Sequence, residues 1–217
     1  MTFRRGFITA GATGVLALTA GCVGFVTGDE PLEFDAGRIV PSDATLEETG
    51  YQEQEAQFES FEETVDVGVE REISASVWAA TYAKDVEIQG HSEEAALFAA
   101  ISMPAMDVLG RSFNPLAEMD REELLAEVLG EADAEGVSTD DVRHDETVSV
   151  SILGDTRDVD RFITTSEFQG QEIDLVILLA AFEHEGDFLV LLGGCPKQLP
   201  DEEVNLEKLL ESVEHHA

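Results

Sequence analysis

Ile173 to Phe182 is the stretch that most limits what this chain can fold into. Nine of its ten residues are apolar, with Asp174 the exception. A strand that is apolar at both alternating sets of positions needs cover on both of its faces. Turn signals flank it, Gln169-Gly170 before and His184-Glu185-Gly186 after, and Phe188 to Leu192 follows as a second buried strand. Upstream, Val148, Val150 and Ile152 alternate, Gly154-Asp155 turns, and Val159 to Thr165 returns. Connections this short join antiparallel strands.

Helix signals provide the cover. Ser42 is placed to cap a short helix with Leu46 inward and Gly50 as its stop. Asp120 with Glu123 three residues on forms a capping box, followed by a Leu124, Leu125, Val128, Leu129 stripe that Gly130 ends. Asp201, after Pro200, opens a last helix with Leu206, Leu209, Leu210 and Val213 on one face. Tyr51 to Tyr82 reads as a long antiparallel hairpin, with Gly68 marking a bulge. Asp85 to Glu94 reads as a loop. Ala95 to Leu109 reads as an edge strand or two short strands because Pro104 breaks it. Glu131 to Glu146 reads as an acidic mobile segment. The expected fold is α+β: a single antiparallel twisted sheet with two main helices packed on it. That layout resembles the sheet-and-helix fold of PsbP-type extrinsic photosystem proteins, with no photosynthetic role implied.

The charge is far from ordinary. The chain has 47 Asp and Glu against 12 Lys and Arg, and its only lysines are Lys84, Lys197 and Lys208. Acid excess can mean disorder, but these acids alternate with regular apolar runs, so a core exists and the charge is on its surface. Such a surface repels itself in dilute buffer. In molar salt the screening length falls to about 3 Å and the repulsion is suppressed. The composition therefore fits a halophilic protein, of haloarchaeal origin. No basic patch is available to neutralise phosphates, so nucleic acid is excluded as a partner.

The first 22 residues point to the membrane. Arg4 and Arg5 precede an uncharged run from Gly6 to Ala20. As a helix that run rises about 22 Å, short of a ~30 Å hydrocarbon core, which suits a signal segment better than a span. Arg4-Arg5 with Phe7 two places on resembles the twin-arginine export signature. Leu18-Thr19-Ala20-Gly21-Cys22 resembles a lipobox, with Thr19 where the usual pattern has Leu. The expected organisation is a signal peptide over residues 1–21, a lipid-attached tether over 22–31 and one globular domain over 32–217. Membrane lipid bound through Cys22 is the expected partner, any protein partner is unknown, and the expected location is the extracellular face of the cell membrane. The chain from Cys22 onward keeps 10 basic residues against 47 acids, a net charge of −37. Cys195, the only other cysteine, has no partner for a disulfide and reads as a small buried residue at a strand end.

Five short motifs, Glu47-Glu48-Thr49-Gly50-Tyr51, Ser102-Met103-Pro104, Phe113-Asn114-Pro115, Leu153-Gly154-Asp155 and Gly186-Asp187-Phe188, are spread over the chain after Cys22. Through them the sequence resembles a haloarchaeal, twin-arginine-exported lipoprotein family whose domain has no assigned function. They read as turns and strand edges that identify a fold and carry no chemistry. The resemblance implies an exported, anchored protein and supplies no active site.

The sequence offers no catalytic, cofactor or metal constellation of its own. The histidines are His91, His144, His184, His215 and His216. His144 beside Glu146, and His184 between Glu183 and Glu185, put imidazole next to carboxylate, but a zinc site needs three or four converging ligands, and with 47 acids such neighbours arise by chance. His215 and His216 follow the last helix, where a cation suits the helix C-terminus. Trp78 reads as core. There is no Gly-x-Ser-x-Gly, no phosphate loop and no Gly-x-Gly-x-x-Gly. The reading is a membrane-anchored, non-enzymatic binding or structural module of unknown ligand, without cofactor or metal. Two alternatives are an anchored enzyme assembled from scattered His and carboxylates such as His144 or His184, and an accessory subunit of a membrane complex.

Overall fold

The computed structural model describes residues 32–66, 70–88, 91–108, 111–112, 114–131, 141–168 and 171–216. Cys22, Arg4, Arg5, Phe7, Gly68 and the Gln169-Gly170 turn lie outside these residues. The chain divides into two compact units, a smaller one that includes Glu62–Ser74 and a larger one made of Phe34–Phe61 and Ala75–Ala217. In the smaller unit Ile73 is buried and Glu72 beside it is exposed. The ends of the strands Gln52–Asp66 and Glu70–Ile88 nearest their connection, and the start of the strand Leu32–Phe34, belong to the smaller unit, and the larger unit holds the helices, the other strands and the candidate site.

The long apolar stretch is strand β10, Gln171–His184, and it lies inside the sheet between β9, Asp155–Phe168, and β11, Asp187–Pro196. The strands β4, Glu70–Ile88, β5, His91–Pro104, and β8, Arg143–Ile152, complete the order β4-β5-β11-β10-β9-β8. The strands β1, Leu32–Phe34, and β3, Gln52–Asp66, pair with β4. Two ribbons stand apart: β2, Arg38–Pro41, with β12, Val213–His216, and β6, Asp107–Val108, with β7, Arg111–Ser112.

Both faces of β10 are covered, as its composition demands. Val176, Leu178 and Ala180 face the helix α3, Pro200–Glu211, in a cluster with Leu206, Leu209 and Leu210. Ile177, Leu179 and Ala181 face α2, Arg121–Glu131, in a cluster with Leu124, Leu125, Val128 and Leu129. Fully burying side chains such as Leu178 and Leu179 contributes about 1.5–3 kcal/mol each. The two glycines at the end of β11 divide along the same line. A Cβ on Gly193 would stand 3.0 Å from Leu206, so α3 sits down on bare backbone, whereas a Cβ on Gly194 would meet nothing. Gly194 floors an open apolar groove of about 300 Å³, walled by Leu97, Leu129, Leu175, Ile177 and Leu192.

Two N-caps and one helix stop follow the sequence, whereas Gly130 does not end α2, which runs on to Glu131, and α3 starts at Pro200 with no side-chain cap. In α1, Asp43–Thr49, the Ser42 hydroxyl accepts from the Thr45 N–H at 3.3 Å and Gly50 ends the helix at φ 81°. At α2, the Glu123 N–H donates to Asp120 Oδ1 at 2.9 Å and the Asp120 N–H reaches Glu123 Oε2 at 3.4 Å, the reciprocal pair of a capping box. Among the described residues no helix is long and apolar enough to cross a membrane.

The fold class differs from the sequence expectation. Among the described residues the protein is mostly β, with a large mixed sheet of eight strands and three α-helices, not a single antiparallel sheet with two main helices, and the PsbP-type layout falls with it. Several local differences build up this result. Residues 85–88 and 91–94 are not a loop: they are paired ends of β4 and β5, with Asp85 opposite Glu94 and Ile88 opposite His91. The alternation of buried Val86 and Ile88 with exposed Asp85 and Glu87 is a strand signal hidden by acids. Ala95 to Pro104 is not an edge, since β5 lies between β4 and β11, and Pro104 is tolerated there because it ends the strand opposite Asp187. Arg143 to Glu146, expected to be mobile, already belongs to β8 and pairs with β9. Val213 to His216 do not trail the last helix; they form β12.

Candidate functional site

The end of the β10–β11 hairpin collects the groups that sequence reading left scattered. His184 is the last residue of β10, Glu185-Gly186 make the turn, and Asp187 opens β11 directly opposite His184. Strand alternation sends Asp187 to the same face as Leu189 and Leu191, the face covered by α3. At this end of that face the cover is the β2–β12 ribbon, in which His215 pairs with Ile39. A charge that begins an otherwise apolar strand is thereby buried, at 5% exposure.

One oxygen of Asp187 takes three contacts. This Oδ2 accepts from the Gly37 N–H at 2.7 Å and the Ser102 hydroxyl at 3.1 Å, and lies 2.9 Å from His215 Nε2. With the carboxylate as acceptor, Nε2 carries the ring hydrogen and Nδ1 is left with its lone pair. The His215 side chain is completely buried, and Nδ1 has no hydrogen-bond partner. Its nearest ionic neighbour is Glu185 Oε2 at 4.0 Å, which is also 4.0 Å from His184 Nε2. The two imidazole rings stand 5.5 Å apart, edge to face. One donor atom from each of His184, Glu185 and His215 lies within 4.8 Å of the other two.

Ser102, His215 and Asp187 are the residue types of an acyl-transfer triad in the wrong order. The serine hydroxyl donates to the carboxylate and has no imidazole to take its proton, so it is not an activated nucleophile. The set of two imidazole nitrogens and one carboxylate gathered at the hairpin tip instead has the donor types that imidazole-preferring metals take.

The other residues singled out from sequence lie elsewhere. His144 does not approach His184; it lies 3.3 Å from Asp160, whose carboxylate also accepts from Thr147 at 2.6 Å and pairs with Arg121 at 3.2 Å. Arg121 also donates to the Ala181 carbonyl, so this network clamps α2 and β8 onto β9 and β10. Glu146 is exposed beside a register shift in β8, and Glu183 is exposed on β10. His91 and His216 are exposed, the latter 3.7 Å from Glu214. His215 is the correction: placed by sequence after a helix end, it is buried in β12, because the ribbon and not the helix terminus decides its surroundings. Trp78 is core, donating to the Ile39 carbonyl at 2.8 Å and stacking at a tilt on Phe58. Cys195 is buried near the end of β11, and burial, with Glu203 and Glu202 adding to it, pushes its thiol up to about 12. Asp187, Ser102 and Gly37 were missed. Two of them sit in motifs read as carrying only turns and strand edges, and only the acid that opens an apolar strand could have flagged the site.

A family model described as "Domain of unknown function (DUF6517)" matches residues 38–214, and the chain belongs to that family. No curated protein matches it. Among solved structures, a protein of unknown function, PA94 from Pseudomonas aeruginosa, is similar at 13% identity and a TM-score of 0.35, covering 70% of this chain and 94% of that one. LpqN, involved in cell envelope biogenesis of Mycobacterium tuberculosis, is similar at 8% identity and a TM-score of 0.28, covering 79% and 95%. Likenesses this distant leave the chemistry of this chain to its own residues.

Proposed function

We propose that this chain is an exported lipoprotein of a salt-adapted, haloarchaeal cell, held on the outer membrane face through Cys22, whose domain binds a ligand without turning it over. The observation that carries the anchor is Leu18-Thr19-Ala20-Gly21-Cys22 closing an uncharged segment that starts after Arg4-Arg5. The structure adds support for the salt adaptation. Of 47 acids, the described residues bury only Asp160 and Asp187, both of them partnered, so the acid excess is a solvated coat over an apolar core. Support for binding over catalysis comes from the hairpin tip, where polar groups converge without an activated nucleophile.

Intact mass of the protein extracted from membranes of a halophilic host tests the anchor. The expected species begins at Cys22 and carries acyl chains, and Cys22→Ser moves the protein to the medium. An unmodified Met1 or a free Cys22 thiol overturns it. The gathering of His184 with His215 and Glu185 favours an anchored enzyme as second reading, and turnover of a hydrolase substrate in molar salt that disappears in His184→Gln would establish it.

A further inference from the structure

We propose that His184, Glu185 and His215 bind a divalent transition-metal ion of the zinc class at the tip of the β10–β11 hairpin, with Asp187 orienting His215 from behind. The inference deepens the binding-module reading by naming its ligand, and does not depend on the lipid at Cys22.

Four observations converge. The first is the donor set itself: two imidazoles and a carboxylate from three positions, all within 4.8 Å of one another. A point equidistant from three such atoms lies about 2.5 Å from each, and zinc–nitrogen bonds of 2.0–2.1 Å need the site to close by only about 0.4 Å. The longest separation is between the two imidazole nitrogens, and His215 is held by Asp187, so the movement falls to the His184 side chain, 20% exposed at the end of β10, with Glu185 following on its exposed turn.

The second is the orphaned nitrogen. A polar atom buried without a partner costs free energy comparable to a lost hydrogen bond. Nδ1 of His215 is such an atom, on a side chain with no exposure, and its lone pair faces the Glu185 carboxylate, which has no hydrogen to donate. A cation between them satisfies both.

The third is the carboxylate behind the ring. Metal-ligating histidines commonly donate their other ring N–H to a carboxylate, which fixes the tautomer and raises the basicity of the ligating nitrogen. Asp187 does this to His215 at 2.9 Å and is itself held by Gly37 and Ser102.

The fourth is the backbone at Glu185. Its φ is +51°, a left-handed conformation unfavourable for a residue with a long side chain. Leu153 has the same conformation at φ +52°, but its side chain packs against the core, which offsets the strain. Glu185 is 63% exposed and gains no such packing. The two-residue turn imposes this conformation, and it sets the Glu185 carboxylate 4.0 Å from each of two imidazole nitrogens.

A set with two imidazoles selects ions of the zinc, nickel or copper kind over magnesium and calcium, which prefer all-oxygen shells. The discrimination matters on a surface of many carboxylates that would bind hard cations loosely. Three protein ligands leave a fourth position open for water or a second molecule.

The test is cobalt and zinc titration of the purified full chain in molar potassium chloride with a large excess of magnesium. The expected result is one cobalt per chain with a visible d–d band of a four- or five-coordinate site, displaced by zinc. Glu185→Gln and His184→Gln, both at accessible positions, each lower zinc affinity at least tenfold, while His144→Gln on β8 leaves it unchanged. Circular dichroism in the same salt confirms that each variant is folded. Binding that magnesium abolishes, or that all three variants share unaltered, overturns the proposal and leaves only the acidic coat as the cation binder. The anchor is read from the mass at Cys22 and the ion from the cobalt spectrum, so either can fail alone.

Discussion

Two hairpin turns of this protein are nearly the same object locally. Leu153-Gly154-Asp155 joins β8 to β9, and Glu185-Gly186-Asp187 joins β10 to β11. Each is a two-residue turn with both central residues left-handed, at φ +52° and +82° in one and +51° and +94° in the other. That is the turn whose twist matches the strands it joins. The aspartates that follow meet opposite fates. Asp155 has a side chain 65% exposed that pairs with Arg157, its neighbour two residues on. Asp187 has one that is 7% exposed and tied to Gly37, Ser102 and His215. The difference is the cover. β8 is at the end of the sheet order, whereas the tip of β10–β11 lies beneath the β2–β12 ribbon. One turn is a connection, and the other becomes a site.

The largest expected effect breaks this pair apart. Asp187→Ala orphans a backbone N–H, a hydroxyl and an imidazole N–H, and lowers stability by about 3 kcal/mol or more in denaturant unfolding at molar salt. Asp155→Ala stays within about 0.5 kcal/mol of the parent protein. Equal losses at the two positions would mean that the turns, not the burial, set the cost.

Next in size are the glycines. Gly154→Ala and Gly186→Ala each force a side chain into left-handed backbone with open space around it, so each costs about 1–2 kcal/mol and the two values agree closely. A much larger loss at Gly186 would show that the hairpin tip is strained by its surroundings. A smaller, opposite-signed effect separates the residues before them. Glu185→Gly relieves unfavourable backbone without losing packing and raises stability by about 0.5 kcal/mol without metal. Leu153→Gly gives no such gain, because the relief is cancelled by lost core contact. Zinc is expected to reverse the order, stabilising the parent protein and not Glu185→Gly.

The smallest expected difference is in alkali. Burial raises the Cys195 thiol from 9.0 to about 12 and the Tyr82 hydroxyl from 10.0 to about 12. Both groups are therefore held protonated by the fold. Their contribution is intact below the ordinary values and is lost as pH rises from about 9 to 12, where the unfolded chain ionises first. Neither group belongs to a turn. Melting temperatures of Gly154→Ala and Gly186→Ala should fall in parallel over that window, and Cys195→Ala should flatten its early part.

What could be read from sequence was local. The apolar run of β10 demanded two covered faces, and α2 and α3 supply them. Ser42, Gly50, Asp120 and Glu123 act as caps because a cap needs only its own turn of helix. Buried Cys195 and Trp78 followed from neighbouring apolar residues. Failures came where acids masked alternation, as at Asp85 and Glu87, and where pairing was remote. The site belongs to the remote kind: Gly37 and Asp187, which share a hydrogen bond, are 150 positions apart.

The sequence by itself determined both X-Gly-Asp turns, the caps at Ser42, Gly50 and Asp120 and the doubly buried strand, since turn geometry, capping and hydrophobic period act over a few residues. Only the tertiary structure decided that β12 returns against β2 over one of those turns. No local rule distinguishes the Asp that stays in solvent from the Asp that is buried with a histidine. That choice is made by a strand arriving from the far end of the chain, which takes water away from one carboxylate and puts an imidazole in its place.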